Sequence, residues 1–340
     1  MKALFITAPG KTEIREIARP EPGRGEVRVR VRYLGYCGSD LNTFRGLNPL
    51  VSYPRVPGHE VAGVIDAVGP EVPDAFAPGV PVLLVPYTSC GTCSACRKGR
   101  PNACRNNQTL GVQRDGALAE QVVVPVAKLL TSRHLSLRDM VLVEPLSVGW
   151  HAARRGRVAT DETVVVFGCG MVGLGAIASA AAAGARVVAV DVDDGKLAIG
   201  RAAGAVVTIN STTEDLHQLL QALTENHGPD LLIEGVGLPA TYRACVEEVC
   251  FAGRVVYVGY AKESVEYATK NFVMKEIDIM GSRNATPDDF RGVIAYLEAG
   301  RFPVDAVITH VVPFAEAGAA LAMWANNSKT VTKIVVDFGG

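Results

Sequence analysis

The run Gly168-Cys-Gly-Met-Val-Gly173, set between TVVVF (163–167) and an alanine-rich stretch, is the tightest constraint on how this chain can fold. A strand that ends on one glycine and opens a helix on another must turn sharply and then pack helix on strand with no side chain between them. Gly168 permits the turn, Gly170 lets the backbone approach a phosphate, and Gly173 permits close packing of the helix expected after it. With Met171 and Val172, these residues would present unpaired N–H groups to an anion at the helix N-terminus. RVVAVD (186–191) follows and ends in Asp191, at the spacing of about 20 residues from which an acid binds both ribose hydroxyls of a dinucleotide. A carboxylate there repels a 2′-phosphate. Asp193 and Asp194 extend the repulsion, so the pattern favours NAD over NADP. Cys169 fills a slot that needs only a small side chain.

From Glu162 onward strands and helices alternate. VVTIN (206–210), DLLIEGV (230–236), GRVVYVGY (253–260) and EIDIMGSR (276–283) read as strands. DGKLAIGRAAG (194–204), EDLHQLLQALTENHG (214–228) and a segment around ATYRACVEEVC (240–250) read as helices. That alternation makes a parallel sheet covered on both faces. Thr286 as N-cap, Pro287 at the first helical position and Gly300 at the end predict a further helix. The first 150 residues differ. EVRVRVRYL (26–34) alternates valine with arginine, while VAGVIDAVG (61–69) and VPVLLVPY (80–87) are short apolar runs bounded by Gly and Pro. This is the pattern of a small β-barrel with long functional loops. A helix near AGAALAMWAN (317–326) and a strand over KTVTKIVVDF (329–338) are expected to return to it. The expected division is therefore 1–150 with 285–340, and 151–284. Two domains also suit a chain of 340 residues.

Lys+Arg 34 against Asp+Glu 35 leaves no broad footprint for nucleic acid or membrane. MKALFITAPGKTEIREI is no signal peptide, and no apolar run approaches the roughly 20 residues of a membrane span. A cytoplasmic protein is expected, without nucleic-acid or membrane partners. There are 8 cysteines, and without export thiolate ligation is the better reading of any cluster. Cys90, Cys93, Cys96 and Cys104 supply four soft donors, which suits a closed structural zinc site. An iron–sulfur cluster and disulfides are the alternatives. Arg97, Lys98, Arg100 and Arg105 would offset the excess negative charge.

Cys37 in GYCGSDLNTFRG (35–46) lies far from that cage. His59 and Glu60 in PRVPGHEVAGVI (54–65), and Glu144 in VLVEPLSVGWHA (141–152), are possible companions. Cysteine, histidine and one or two glutamates can form a catalytic zinc site with one position left for water or substrate. The residues alone leave this open against a buried thiol in a turn and a structural histidine.

CGSD, PGHEVAGVI, the four-cysteine lobe, EPLSVGWHA and GCGMVG occur in this order across nearly the whole chain. Together they resemble the zinc-dependent medium-chain dehydrogenase/reductase family, in its polyol dehydrogenase branch. SYPRVPGHE and MGSRNATPDDF are most similar to L-galactonate and L-gulonate 5-dehydrogenases. The resemblance implies an α/β protein with a GroES-like β-barrel and a Rossmann domain, the active site in the cleft between them. It implies two Zn2+ per chain, one catalytic and one structural, with NAD as cofactor, and a homo-oligomer, dimeric or tetrameric. Catalytic zinc would lie on Cys37, His59 and Glu144. Glu60 would be a fourth ligand or exchange with water, and which glutamate binds at rest stays open. Asp40 would orient the His59 ring from behind, and Ser39 would take the proton of the substrate alcohol. Where the family commonly continues CGSDxH, this chain has Asn42. An amide cannot titrate near neutrality, so the proton would pass from Ser39 through cofactor ribose and water, or through His151.

Sugar acids carry a carboxylate, for which Arg45, Arg55 and Arg283 are candidate anchors, Arg283 with its neighbour Asn284 following a late strand. A neutral polyol dehydrogenase of the sorbitol or galactitol type is the alternative substrate reading. A zinc-braced, NAD-binding regulator without turnover is the alternative of another class, and it could dispense with Cys37, His59 and Glu144. A zinc-free quinone reductase could dispense with them too.

Overall fold

The computed structural model describes residues 1–327 and 331–339. The chain divides into two compact units, Met1–Glu144 with Val304–Gly340, and Pro145–Pro303. The first seven strands are β1 (Lys2–Ala8), β2 (Lys11–Glu16), β3 (Glu26–Gly35), β4 (Glu60–Val68), β5 (Pro81–Leu84), β6 (Gln121–Pro125) and β7 (Leu129–Leu130). The second unit holds β8 (Thr163–Phe167), β9 (Arg186–Asp191), β10 (Val207–Asn210), β11 (Leu231–Glu234), β12 (Arg254–Tyr257) and β13 (Asp278–Gly281). β14 (Ile308–Pro313) and β15 (Lys333–Asp337) return to the first.

In the first unit the strand order is β14-β15-β3-β4-β5-β7, with β6 also on β3. β3 is the hub: residues 26–30 pair with β6, 33–35 with β15, and β4 runs along its length. The valine–arginine alternation buries Val27, Val29 and Val31 in a core shared with Leu34, Ile65, Val82 and Val124. Arg28 is the exception on the arginine face. It is 5% exposed and is neutralised by Asp66 and Glu21, each at 2.8 Å. The strand expected over 329–338 begins at Lys333; residues 329 and 330 lie outside the described residues.

The second unit is one parallel sheet, β10-β9-β8-β11-β12-β13. Val164, Val165, Val166, Val187 and Val188 are fully buried, as continuous apolar runs must be when helices cover both faces. Strand order reverses between β8 and β11, the switch point beyond whose carboxyl ends such sheets bind ligands. Two boundaries differ from expectation. Helix Pro287–Glu298 belongs to this unit, packing on helix Met171–Ala182 with Phe290, Val293 and Leu297 buried. The unit also begins at Pro145, inside helix Val143–Arg155. Gly149 explains why: a Cβ there would lie 1.8 Å from the Val172 carbonyl oxygen, so this helix rests directly on helix Met171–Ala182. No described helix is long and apolar enough to cross a membrane.

Candidate active site

β3 ends at Gly35, and Cys37 caps the helix Gly38–Phe44 that follows. The Asp40 carboxylate accepts from the Cys37 N–H at 2.9 Å and, through its other oxygen, from the Gly58 N–H at 3.0 Å. One buried carboxylate thus ties the cysteine turn to the turn before His59. Asp40, expected to orient the His59 ring, accepts from these two backbone N–H groups and acts on the imidazole through its charge. The His59 Nδ1 makes no hydrogen bond although it is buried. The turn that carries the histidine is fixed by close backbone packing at Gly58. Gly58 has φ +95, and a side chain there would meet Leu34 at 2.6 Å. Cβ atoms at Gly111 and Gly116 would lie 2.6 and 2.4 Å from Gly58 backbone atoms. Ala117 and Leu118 N–H groups donate to the Gly58 and Pro57 carbonyls at 3.0 Å.

Glu60 opens β4 directly opposite Gly35. A Cβ at position 35 would stand 2.1 Å from Glu60 Oε2, so glycine is what lets the carboxylate lie there. Lys333 Nζ donates to both Glu60 oxygens, at 2.7 and 2.6 Å, and to the Tyr36 carbonyl at 2.9 Å. Burial pushes the Glu60 carboxyl above its usual range, Lys333 opposes this, and Glu144 adds to it. The sequence reading missed Lys333. Its signal was a lone cation at the head of the apolar run KIVVDF, where a buried slot demands an acid partner.

The ligand atoms of Cys37, His59 and Glu60 all lie within 4.8 Å of one another. Glu144 is buried but falls outside this group; it accepts a hydrogen bond from the Tyr87 hydroxyl. Burial raises the Tyr87 pKa well above its ordinary value, and Glu144 raises it further. For His59, burial alone would lower the pKa, but Cys37, Asp40 and Glu144 outweigh it and hold the imidazole well above its ordinary value. A thiol, an imidazole with an orphaned nitrogen and a carboxylate, converging in a negative surround, fit zinc. Ser39 Oγ is also buried without a hydrogen-bond partner. Asn42 occupies the same short helix, half-buried.

In the second cysteine cluster, sulfur separations are 3.5 Å (Cys93–Cys96), 3.8 Å (Cys93–Cys104) and 3.6 Å (Cys90–Cys104). A tetrahedron with metal–sulfur bonds of about 2.3 Å places its sulfurs about 3.8 Å apart, whereas a disulfide needs about 2.05 Å. All four are free cysteines. Hydrogen bonds from the Thr92 hydroxyl and nearby N–H groups pull the Cys90 thiol down to about 5, toward the thiolate a metal requires. The geometry fits structural zinc.

The glycine loop follows β8. Gly168 has φ +90, and a Cβ at Gly173 would stand 1.7 Å from the Gly168 carbonyl oxygen. Space at Gly170 is open, with nothing within 4 Å of a Cβ placed there, which suits approach of a pyrophosphate. The helix starts at Met171 with Gly170 as N-cap, three residues before the expected start after Gly173, so Met171, Val172 and Gly173 belong to its first turn. Asp191 Oδ2 accepts from the Cys169 N–H at 2.7 Å, and its Oδ1 from Val192 and Asp193 N–H groups at 2.8 and 3.2 Å. Asp193 caps the next helix and Asp194 accepts from Asn210, so both aspartates also have structural tasks.

The three candidate arginine anchors are engaged. Arg45 donates to the Ala325 carbonyl at 2.5 Å. Arg55 pairs with Asp115 at 3.1 Å and reaches Ser52 at 3.2 Å. Arg283 and Asn284, half-buried in the bend after β13, have interactions of their own. His151, the alternative relay residue, gives its Nδ1 to Asp289 at 2.8 Å in the second unit.

A GroES-like β-unit bearing a Cys–His–Glu cluster and a four-cysteine lobe, joined to a doubly wound dinucleotide-type sheet, defines a zinc-type alcohol dehydrogenase. Residues 23–139 match the alcohol dehydrogenase GroES-like domain family, and residues 171–299 match the zinc-binding dehydrogenase family. The chain is 32% identical over 338 residues to L-galactonate-5-dehydrogenase of Escherichia coli K12, covering 99% of each. The NADH complex of the alcohol dehydrogenase RspB from E. coli CFT073 superposes with TM-score 0.91 at 32% identity, covering 99% of both chains. Galactitol-1-phosphate dehydrogenase from E. coli gives TM-score 0.91 at 30% identity, covering 99% of this chain and 100% of that one. The chain belongs to the zinc-dependent medium-chain alcohol and polyol dehydrogenase family.

Proposed function

We propose that this chain is a zinc- and NAD-dependent dehydrogenase that oxidises a secondary hydroxyl of a polyol or sugar acid to a ketone, preferentially C5 of a hexonate such as L-galactonate or L-gulonate. The observation that carries this reading is the convergence of Cys37, His59 and Glu60 in the same unit as a buried, unpartnered Ser39 hydroxyl. A relative named L-galactonate-5-dehydrogenase supports the sugar-acid choice. Cys37 and His59, with Glu60 or Glu144, would hold the catalytic zinc, and Cys90, Cys93, Cys96 and Cys104 the structural one. Gly168, Gly170, Met171, Val172, Gly173 and Asp191 would hold NAD.

When bound, zinc supplies the Lewis acidity that makes an alcohol hydroxyl acidic near neutrality, and NAD supplies the hydride acceptor. Ser39 Oγ has no competing partner and accepts the hydroxyl proton. Asn42 cannot take that proton onward, so it leaves Ser39 by water or the cofactor ribose. Asp40 keeps the Cys37 and His59 turns in register, and Tyr87 steadies the Glu144 carboxylate. Arg283 and Asn284 contact the substrate. The same reading makes the protein a cytoplasmic homo-oligomer acting on a small molecule.

A screen following NADH absorbance tests this. Turnover of L-galactonate or L-gulonate should exceed that of sorbitol and galactitol. Better turnover of the neutral polyols overturns the sugar-acid preference, and no NAD reduction with any alcohol overturns the dehydrogenase reading.

A further inference from the structure

We propose that Arg114 and Lys128 together bind the anionic end group of the substrate, a carboxylate or a phosphate ester. The inference rests on the polyol or sugar-acid reading above and names the part of the chain that would recognise charge. Among the described residues, neither side chain forms a salt bridge. Both are half-buried, and Arg114 Nε is a buried donor with no hydrogen-bond partner. The neighbouring acid, Asp115, is committed to Arg55 and the Val56 N–H, both at 3.1 Å.

Burial lowers the Arg114 pKa. Lys128 is lowered by burial and then by repulsion from Arg114, with no acid acting in the opposite sense. Two cations within electrostatic reach of each other, partly stripped of water and lacking a counter-charge, are unfavourable until an anion joins them. A planar guanidinium takes two oxygens of a carboxylate or phosphate, and an ammonium adds a mobile point charge.

The backbone ties this pair to the segments that carry the site. Arg114 lies between Gly111 and Gly116, the two glycines pressed on the Pro57–Gly58 turn ahead of His59. Leu110, bridged to Arg114, donates its N–H to the Pro86 carbonyl at 3.2 Å. Lys128 receives the Val85 N–H on its carbonyl at 2.8 Å. Lys128 thus pairs directly with Val85, and Arg114 is linked to Pro86 through Leu110, immediately before Tyr87, which bonds Glu144.

The test uses the full-length, zinc-loaded enzyme with Arg114→Gln, Lys128→Gln and the double variant. A hexonate, a hexitol 1-phosphate and a neutral hexitol are compared as substrates. The ratio of kcat/KM for the anionic to the neutral substrate should fall about tenfold or more in each single variant, mainly through KM, with Arg114→Lys recovering part of it. Whichever anion loses more is the one the site serves. An unchanged ratio overturns the inference. Calorimetry with inorganic phosphate separates the inference from the function on which it rests. Phosphate binding to wild type that is lost in the double variant supports the site even if no alcohol is oxidised. Equal phosphate binding in both, with sugar acids still oxidised, removes the site and leaves the dehydrogenase.

Discussion

Lys333 Nζ lies 2.6 Å from Glu60 Oε2, with the lysine side chain 2% exposed and the glutamate 0%. The last described strand of the chain thus reaches back to the acid beside Cys37 and His59. Breaking a buried pair from one side leaves an uncompensated charge, at a cost of about 3–5 kcal/mol. Lys333→Met should lose stability of that order in denaturant unfolding. Glu60→Gln combined with Lys333→Met should recover much of it, a coupling that a double-mutant cycle reads directly. Additive losses would show that the two residues act separately.

Gly35 and Glu60 face each other across β3 and β4. Because a Cβ at residue 35 would overlap Glu60 Oε2, Gly35→Ala should push the carboxylate off Lys333 and away from the cluster. A displacement of about 1 Å at a reacting site costs roughly 100-fold in rate. The variant should lose activity on that scale while keeping the zinc of the four-cysteine lobe, as metal analysis would show.

Asp289 carries a signed pH prediction. Burial would raise its carboxyl pKa, but hydrogen bonds from His151 and Thr286 outweigh burial and hold it below the usual value. A folded pKa below the unfolded value of about 3.9 means the stabilisation is fully present above that pH. It fades as pH falls through it toward the folded pKa. Asp289→Asn should therefore cost about 1–3 kcal/mol near neutrality, and the gap to wild type should close as pH drops below about 4. Urea unfolding across that range checks it; a gap constant with pH contradicts it.

Asp191→Asn keeps an acceptor for the Cys169 N–H and removes the charge expected to reject a 2′-phosphate. The ratio of kcat/KM with NADP to that with NAD should rise by about tenfold or more. A ratio that stays fixed would assign the discrimination to Asp193 or Asp194.

Much of this architecture was legible in the sequence because its signals are local. Val27, Val29 and Val31 alternate, glycines 168, 170 and 173 bracket a turn, and four cysteines lie close along the chain. Thr286 and Pro287 marked a helix start that the structure reproduces with a capping box. What escaped depends on long-range register. Lys333 meets Glu60 across 273 residues of chain, and Tyr87 meets Glu144 across 57. The boundary near 285 was misjudged because the apolar face of helix Pro287–Glu298 does not reveal which unit it covers. Asp40 illustrates a subtler limit. Its position beside the cluster was foreseen, but its bonding to Cys37 and Gly58 N–H groups depends on a turn geometry that only the fold defines.

NADH formation from NAD with L-galactonate or L-gulonate, measured for wild type beside Cys37→Ser and His59→Asn, tests the central claim most directly. The wild-type chain should reduce NAD, and each variant should lose nearly all turnover while retaining the zinc of the four-cysteine lobe. Equal NADH formation by the wild type and the two variants would contradict a catalytic role for the Cys37–His59–Glu60 cluster.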